Sequence, residues 1–102
     1  MKDHKDFKNI GEIRDCIDET DYNILKLFGE RNRYVEEIIH FKSDKAEVIA
    51  TKRQEEMLAL RRKWAEEFNL NPDLFEKIFK ILIDSNIQKQ MKILEQKGRK
   101  EN

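Results

Sequence analysis

The sequence predicts an all-α protein of three helices, one of them very long, that intertwines with a second copy of itself. Three observations lead there. Of 102 residues only three are Gly and one is Pro, well under the ordinary usage of about 7% and about 5%, so many short strands joined by turns are not supported. Apolar residues recur at steps of three, four and seven through long stretches, the signature of one helical face. The first of these stretches is also too long for a globule of this size.

That first helix is predicted from about Asn9 to Lys42, with Ile10, Ile13, Ile17, Ile24, Phe28, Val35 and Ile38 on its stripe. No proline interrupts it. Gly11 falls in the first turn, where it costs little. Gly29 is internal and costs about 1 kcal/mol against Ala, which points to a close packing contact. At about 1.5 Å per residue the helix is about 50 Å long, whereas a compact chain of this size has a radius of gyration of about 13 Å. The apolar stripe runs the whole length, so part of it needs a cover, and a second copy is the simplest one. Trp64 and Cys16 are assigned to buried positions.

Lys42-Ser43-Asp44-Lys45-Ala46-Glu47 has no apolar face and reads as a loop. The second helix ends near Phe68 and carries Met57, Leu58, Leu60, Trp64, Ala65 and Phe68. Its start is either Thr51, where Thr51-Lys52-Arg53-Gln54 has the form of a capping box, or nearer Ala46. Asn69-Leu70-Asn71-Pro72 breaks it. Asn71 as N-cap and Pro72 at the first helical position open the third helix, which carries Phe75, Ile78, Phe79, Leu82, Ile83, Ile87, Ile93 and Leu94 to about Gln96. Residues 1–8 and 97–102 read as frayed ends. The chain is thus expected to be one domain, residues 1–102, with an ordered core of about 9–96.

Composition excludes several classes of function. Lys+Arg and Asp+Glu each number 21, for a formal net charge of zero, which is not the cationic footprint of a nonspecific nucleic-acid binder. No run of about 18 apolar residues would span a membrane. The first residues lack the apolar centre of a leader. One cysteine excludes an internal disulfide and a cysteine-rich metal site. The expected compartment is the cytoplasm, and no metal, cofactor, nucleic-acid or membrane partner is expected.

The informative residues are polar ones on apolar stripes. Arg31 lies three after Phe28 and four before Val35. Lys42 lies four after Ile38, and Arg14 lies between Ile10 and Ile17. Arg53 lies four before Met57. On the third helix Asn86 follows Phe79 by seven, and Gln90 follows Asn86 by four. Burying a cation without a partner costs several kcal/mol, so four of them on inward faces need anions. Each could be an ion-paired interface residue. Together, with an amide pair one turn apart, they suit a pocket for a small, compact polyanion: arginine forks grip carboxylates and amides hold a hydroxyl or an ether oxygen. His40 has no partner in sight, and no nucleophile, phosphate loop or metal-ligand spacing is present. Cations and amides alone suit catalysis by orientation and preorganised electrostatics.

These residues resemble a known family. Ile13-Arg14-x-x-Ile17-Asp18-x-x-Asp21, then Gly29-x-Arg31, Phe41-Lys42, Arg53 and Gln90 are similar to the all-helical AroQ class of chorismate mutases, over about residues 10–96. Within it, Gly29-x-Arg31, Tyr34-Val35, Phe41-Lys42, Met57-Leu58, Trp64-Ala65-Glu66-Glu67 and the Lys42-to-Arg53 spacing resemble the isochorismate–pyruvate lyase branch. The resemblance implies an intertwined three-helix homodimer with two active sites and a dianionic substrate, chorismate or isochorismate. It implies that Arg14 reaches into the other subunit's site, that Arg31, Lys42 and Arg53 grip the carboxylates and ether oxygen, and that Gln90 bonds the ether oxygen or a carboxylate. Gln54 stands where the mutases carry Glu or Gln for the ring hydroxyl and the lyases an apolar residue, which favours a mutase. Ala50 looks lyase-like, and Asn86 matches neither branch, the mutases often having Ser there. The expected activity is chorismate to prephenate. The alternatives are the lyase, giving salicylate and pyruvate, and a noncatalytic helical dimerisation module, for which the long helix alone argues.

Overall fold

The computed structural model describes residues 3–42 and 44–101, and the side chains of 99–101 are left aside. Among the described residues there is no strand, and the elements in order are a 3₁₀ turn (His4–Asp6), α1 (Ile10–Ile38), a second 3₁₀ turn (Ile39–Phe41), α2 (Lys45–Ile49), α3 (Thr51–Glu67) and α4 (Pro72–Glu101). The all-α expectation of three long helices holds. The chain divides into two units, Met1–Tyr34 and Val35–Asn102.

The first unit opens on a turn where a frayed end was expected. Asp3 accepts from the backbone N–H of His4 at 2.6 Å, and Asp6 reaches back to the N–H of Asp3 at 3.0 Å. This reciprocal capping box orders the described part of the tail, while residues 1, 2 and 102 of the two predicted ends lie outside the described residues. Asn9 then caps α1 through the N–H of Glu12 at 3.1 Å. The 29 residues of α1 include none that is buried within this chain, and Ile10, Ile17, Ile24 and Leu27 are exposed. Cys16, expected in the interior, is exposed on this helix. A Cβ at Gly29 would meet no atom within 4 Å, so the expected close contact is not made within one chain.

In the second unit, α1 ends four residues earlier than predicted. Ile39–Phe41 tightens into 3₁₀ geometry, and Lys42 is extended, with its N–H donating to the carbonyl of Ile39 at 3.2 Å. The predicted loop contains α2 instead. Asp44 caps it by accepting from the N–H of Glu47 at 2.8 Å, and Ser43 lies outside the described residues. Ala50 stops α2 in the left-handed region at φ 43°, a conformation disfavoured for a residue with a Cβ. Both proposed starts for the second helix therefore have a basis: the segment from Lys45 is helical, and it is broken at Ala50 before α3 resumes. The predicted capping box at Thr51 does not form. Ala50 occupies the N-cap position with no side-chain cap.

The end of α3 is a Schellman motif. Asn69 takes φ 59°, the N–H of Leu70 bonds the carbonyl of Ala65 at 2.8 Å, and the N–H of Asn69 bonds that of Glu66 at 3.1 Å. Asn71 caps α4 as predicted, accepting from the N–H of Asp73 at 2.9 Å and of Leu74 at 3.4 Å. Helix α4 runs to Glu101, past the predicted end at Gln96, because nothing between the two breaks a helix: Gly98 only weakens it. Arg62 clamps the hairpin, bonding Asp73 at 2.8 Å and Glu76 at 2.7 Å. Helix α4 packs against α3, α2 and the second 3₁₀ turn. Among the described residues Ile39, Val48, Ala65 and Ile83 are the buried apolar ones. Trp64, expected in the core, is 42% exposed, and the guanidinium of Arg61 stacks on its ring at 4.9 Å.

Candidate functional site

Among the described residues one polar side chain is buried: Gln90, only 5% exposed. A buried amide is costly unless its bonds are made, and here they are. Its Nε2 donates to the carbonyl of Val35 at 2.9 Å, and its Oε1 accepts from Lys42 Nζ at 3.4 Å. Val35 lies in the last turn of α1, and a backbone carbonyl has two lone pairs, so it can accept from a side chain as well as from the helix. The helix end thus supplies the acceptor that orients the amide. With nitrogen against a carbonyl and oxygen against an ammonium, the amide has only one sensible orientation. Among the described residues, one amide N–H and two ammonium N–H groups remain to be donated.

Lys42 is half-buried. Burial pushes its pKa below the ordinary lysine value, and the charge of Glu47 pulls the other way. The early end of α1 creates this position: the 3₁₀ turn carries Lys42 out of the helix and Ile39 into the core. Asn86, one turn before Gln90 on α4, is half-buried.

The cations divide. Arg31, half-buried on α1, has its pKa lowered by desolvation. Arg14 and Arg53, expected on inward faces, are exposed. For Arg14 the reason is that α1 buries none of its residues within one chain. For Arg53 it is a place in the first turn of α3, directly after the break at Ala50. Gln54 is bonded away from the Lys42–Gln90 pair. Its Nε2 donates to the carbonyl of Ile49 at 2.6 Å, and its Oε1 accepts from Lys80 Nζ at 3.1 Å.

The sequence therefore pointed to both members of the central pair. It did not point to the carbonyls of Val35 and Ile49 or to Lys80. Backbone acceptors leave no mark in residue type, and Lys80 sits among other surface lysines. A shallow groove of about 530 Å³ on the α3–α4 hairpin, lined by Leu58, Glu76, Lys77, Lys80 and Ile81, contains none of the predicted site residues. Among the described residues no group of three or more His, Cys, Asp or Glu is arranged to hold a metal ion, and no helix is long and apolar enough to cross a membrane.

Comparison with known proteins finds relatives over most of the chain. The family model for chorismate mutase type II matches residues 13–91. The chain is 35% identical to an isochorismate pyruvate lyase of Pseudomonas aeruginosa over 92 residues, 90% of this chain and 91% of that protein. It is 36% identical to a chorismate mutase of Methanocaldococcus jannaschii over 90 residues, 87% of this chain and 91% of that protein.

Proposed function

Because the chain belongs to the chorismate mutase type II family, we propose that it rearranges chorismate to prephenate, as a cytoplasmic homodimer in which each chain is one catalytic domain. The observation that carries this reading is the Lys42–Gln90 pair: an ammonium and a buried, backbone-oriented amide 3.4 Å apart.

The chemistry asks for little else. In the rearrangement the ether carbon–oxygen bond breaks as a carbon–carbon bond forms between the enolpyruvyl methylene and the ring. No proton, hydride or leaving group has to be carried away, so no general base is needed. What changes is charge: the ether oxygen becomes more negative as its bond lengthens. Lys42 Nζ and the free N–H of Gln90 donate to that oxygen. Because the Gln90 amide is held by the Val35 carbonyl before substrate arrives, it needs little reorganisation during the reaction. Folding the flexible dianion into its reactive conformer is the other half of the task. Arg31, Arg53 and Arg14 of the partner subunit grip the carboxylates, Asn86 supplies a further polar contact, and Gln54 meets the ring hydroxyl. The exposed apolar residues of α1, Ile10, Ile17, Ile24 and Leu27 among them, support the homodimer, since a face of that kind is unusual on a monomer.

The second reading is the isochorismate–pyruvate lyase. It is favoured by Ala50, by the Lys42-to-Arg53 spacing and by the 35% identity to a protein of that name. The test is to offer purified protein chorismate and isochorismate separately and to identify the products by chromatography. Prephenate from chorismate is expected. Salicylate and pyruvate as the main products would select the lyase. Turnover of neither would leave a helical dimerisation module.

A further inference from the structure

Gln54 is the residue on which the two enzymatic readings part, and in this chain it does not stand alone. Both ends of its amide are held. Nε2 donates to the Ile49 carbonyl at 2.6 Å, and Oε1 accepts from Lys80 Nζ at 3.1 Å. Lys80 is in turn paired with Asp84 at 3.0 Å, one turn along α4. The carbonyl of Ile49 is held in place because Ala50, the next residue, takes the left-handed turn that ends α2.

An amide has two N–H donors and an acceptor oxygen. A carbonyl on one side and an ammonium on the other fix which end points where, so the amide cannot flip without losing both bonds. The ammonium also draws electron density from the amide oxygen, which makes the remaining N–H a stronger donor. Gln54 therefore arrives at substrate as a fixed donor. A free glutamine would present oxygen or nitrogen with equal ease.

We infer that Lys80 is a positioning residue which, through Gln54, sets recognition of the substrate's ring hydroxyl, an inference that rests on the proposed function. Lys80 touches no substrate in this scheme. Its role is to hold Gln54 as a donor, with Asp84 keeping the ammonium in place.

The experiment measures kcat and KM, for whichever of chorismate and isochorismate the wild type turns over, in Lys80→Met, Lys80→Arg, Gln54→Leu and the Lys80→Met/Gln54→Leu double variant. Lys77→Met serves as a surface-lysine control. Lys80→Met is expected to lose about tenfold in kcat/KM, the scale of one charge-assisted hydrogen bond. Lys80→Arg, which can still donate to Oε1, recovers most of that loss. The double variant is no worse than Gln54→Leu alone, because Lys80 acts only through Gln54. Independent, additive losses, or a Lys80→Met enzyme as good as wild type, would overturn the inference and leave the proposed function intact. A Lys80→Met variant that loses activity only by unfolding, as seen in its thermal melt, would do the same, since Lys80 would then be structural. Wild-type protein that turns over neither substrate overturns both.

Discussion

Replacing Gln90 with Leu separates the chemistry of the site from its packing. Leu is close in volume to Gln, so the interior around residue 90 stays filled. Two bonds are lost. The one to Lys42, at 3.4 Å, is longer than the usual range of about 2.7–3.2 Å and contributes little. The one to the Val35 carbonyl, at 2.9 Å, matters more, contributing about 0.5–1.5 kcal/mol as an ordinary intramolecular hydrogen bond does. Burying a leucine at a position only 5% exposed returns about 1–2 kcal/mol. The net change in stability is therefore small, within about 1 kcal/mol of zero, measurable by urea unfolding at a fixed protein concentration. Turnover behaves differently. Losing a donor aimed at developing negative charge costs about 10²–10³ in kcat, about 3–4 kcal/mol of barrier. A variant that folds nearly as well as wild type and turns over a hundredfold more slowly is the expected result. Turnover within threefold of wild type would refute the role given to Gln90.

Three further outcomes are expected. Burial lowers the pKa of Lys42, so turnover falls on the alkaline side before an ordinary lysine would titrate. In the same window the unfolded chain binds more protons than the folded one, so the Lys42 contribution makes the fold more stable as pH rises; a pH–rate profile checks the first, and Lys42→Arg, if active, moves the alkaline limb upward. Mixing Arg14→Ala with Lys42→Ala subunits regenerates one intact site in each mixed dimer, returning roughly a quarter of wild-type activity from two inactive parents after random reassortment; no recovery would mean that Arg14 serves its own chain. Asn71→Ala removes the cap of α4 and costs about 1 kcal/mol in urea unfolding, with little effect on KM.

The helices were legible where periodicity and breakers agree. Asn69 to Pro72 combines a left-handed stop, a cap and a proline, and the predicted boundary held. Near Ala50 the signals were weaker. Helix α2 is five residues long with one buried side chain, Val48, too short to show a period. Its end is made by an alanine in a conformation that usually calls for Gly or Asn. Thr51 and Gln54 have the right spacing for a capping box, but the Gln54 oxygen that would accept from the cap backbone accepts from Lys80 instead, while its Nε2 donates to the Ile49 carbonyl. At the site, Lys42 and Gln90 could be found because polar residues on an apolar stripe are conspicuous. Arg14, Arg53, Cys16 and Trp64 sit on similar stripes and are exposed within one chain. A stripe marks a face that needs covering, without saying which molecule covers it.

The tightened turn at Ile39–Phe41 sets a limit on how this sequence can change. An α-helix advances about 100° per residue and a 3₁₀ turn about 120°, so three residues of the tighter winding swing Lys42 by about 60° from where an unbroken α1 would aim it. The Val35 carbonyl at one end of this stretch and Lys42 at the other both bond the same amide. The six residues between them act as a ruler whose length and winding are read at Gln90. Side chains along it can be exchanged if Ile39 still fills the core. A single insertion or deletion would turn the ammonium about a third of the way round the helix axis. Length variation among functional descendants of this chain should therefore collect elsewhere, at the Ala50 break or beyond the end of the core.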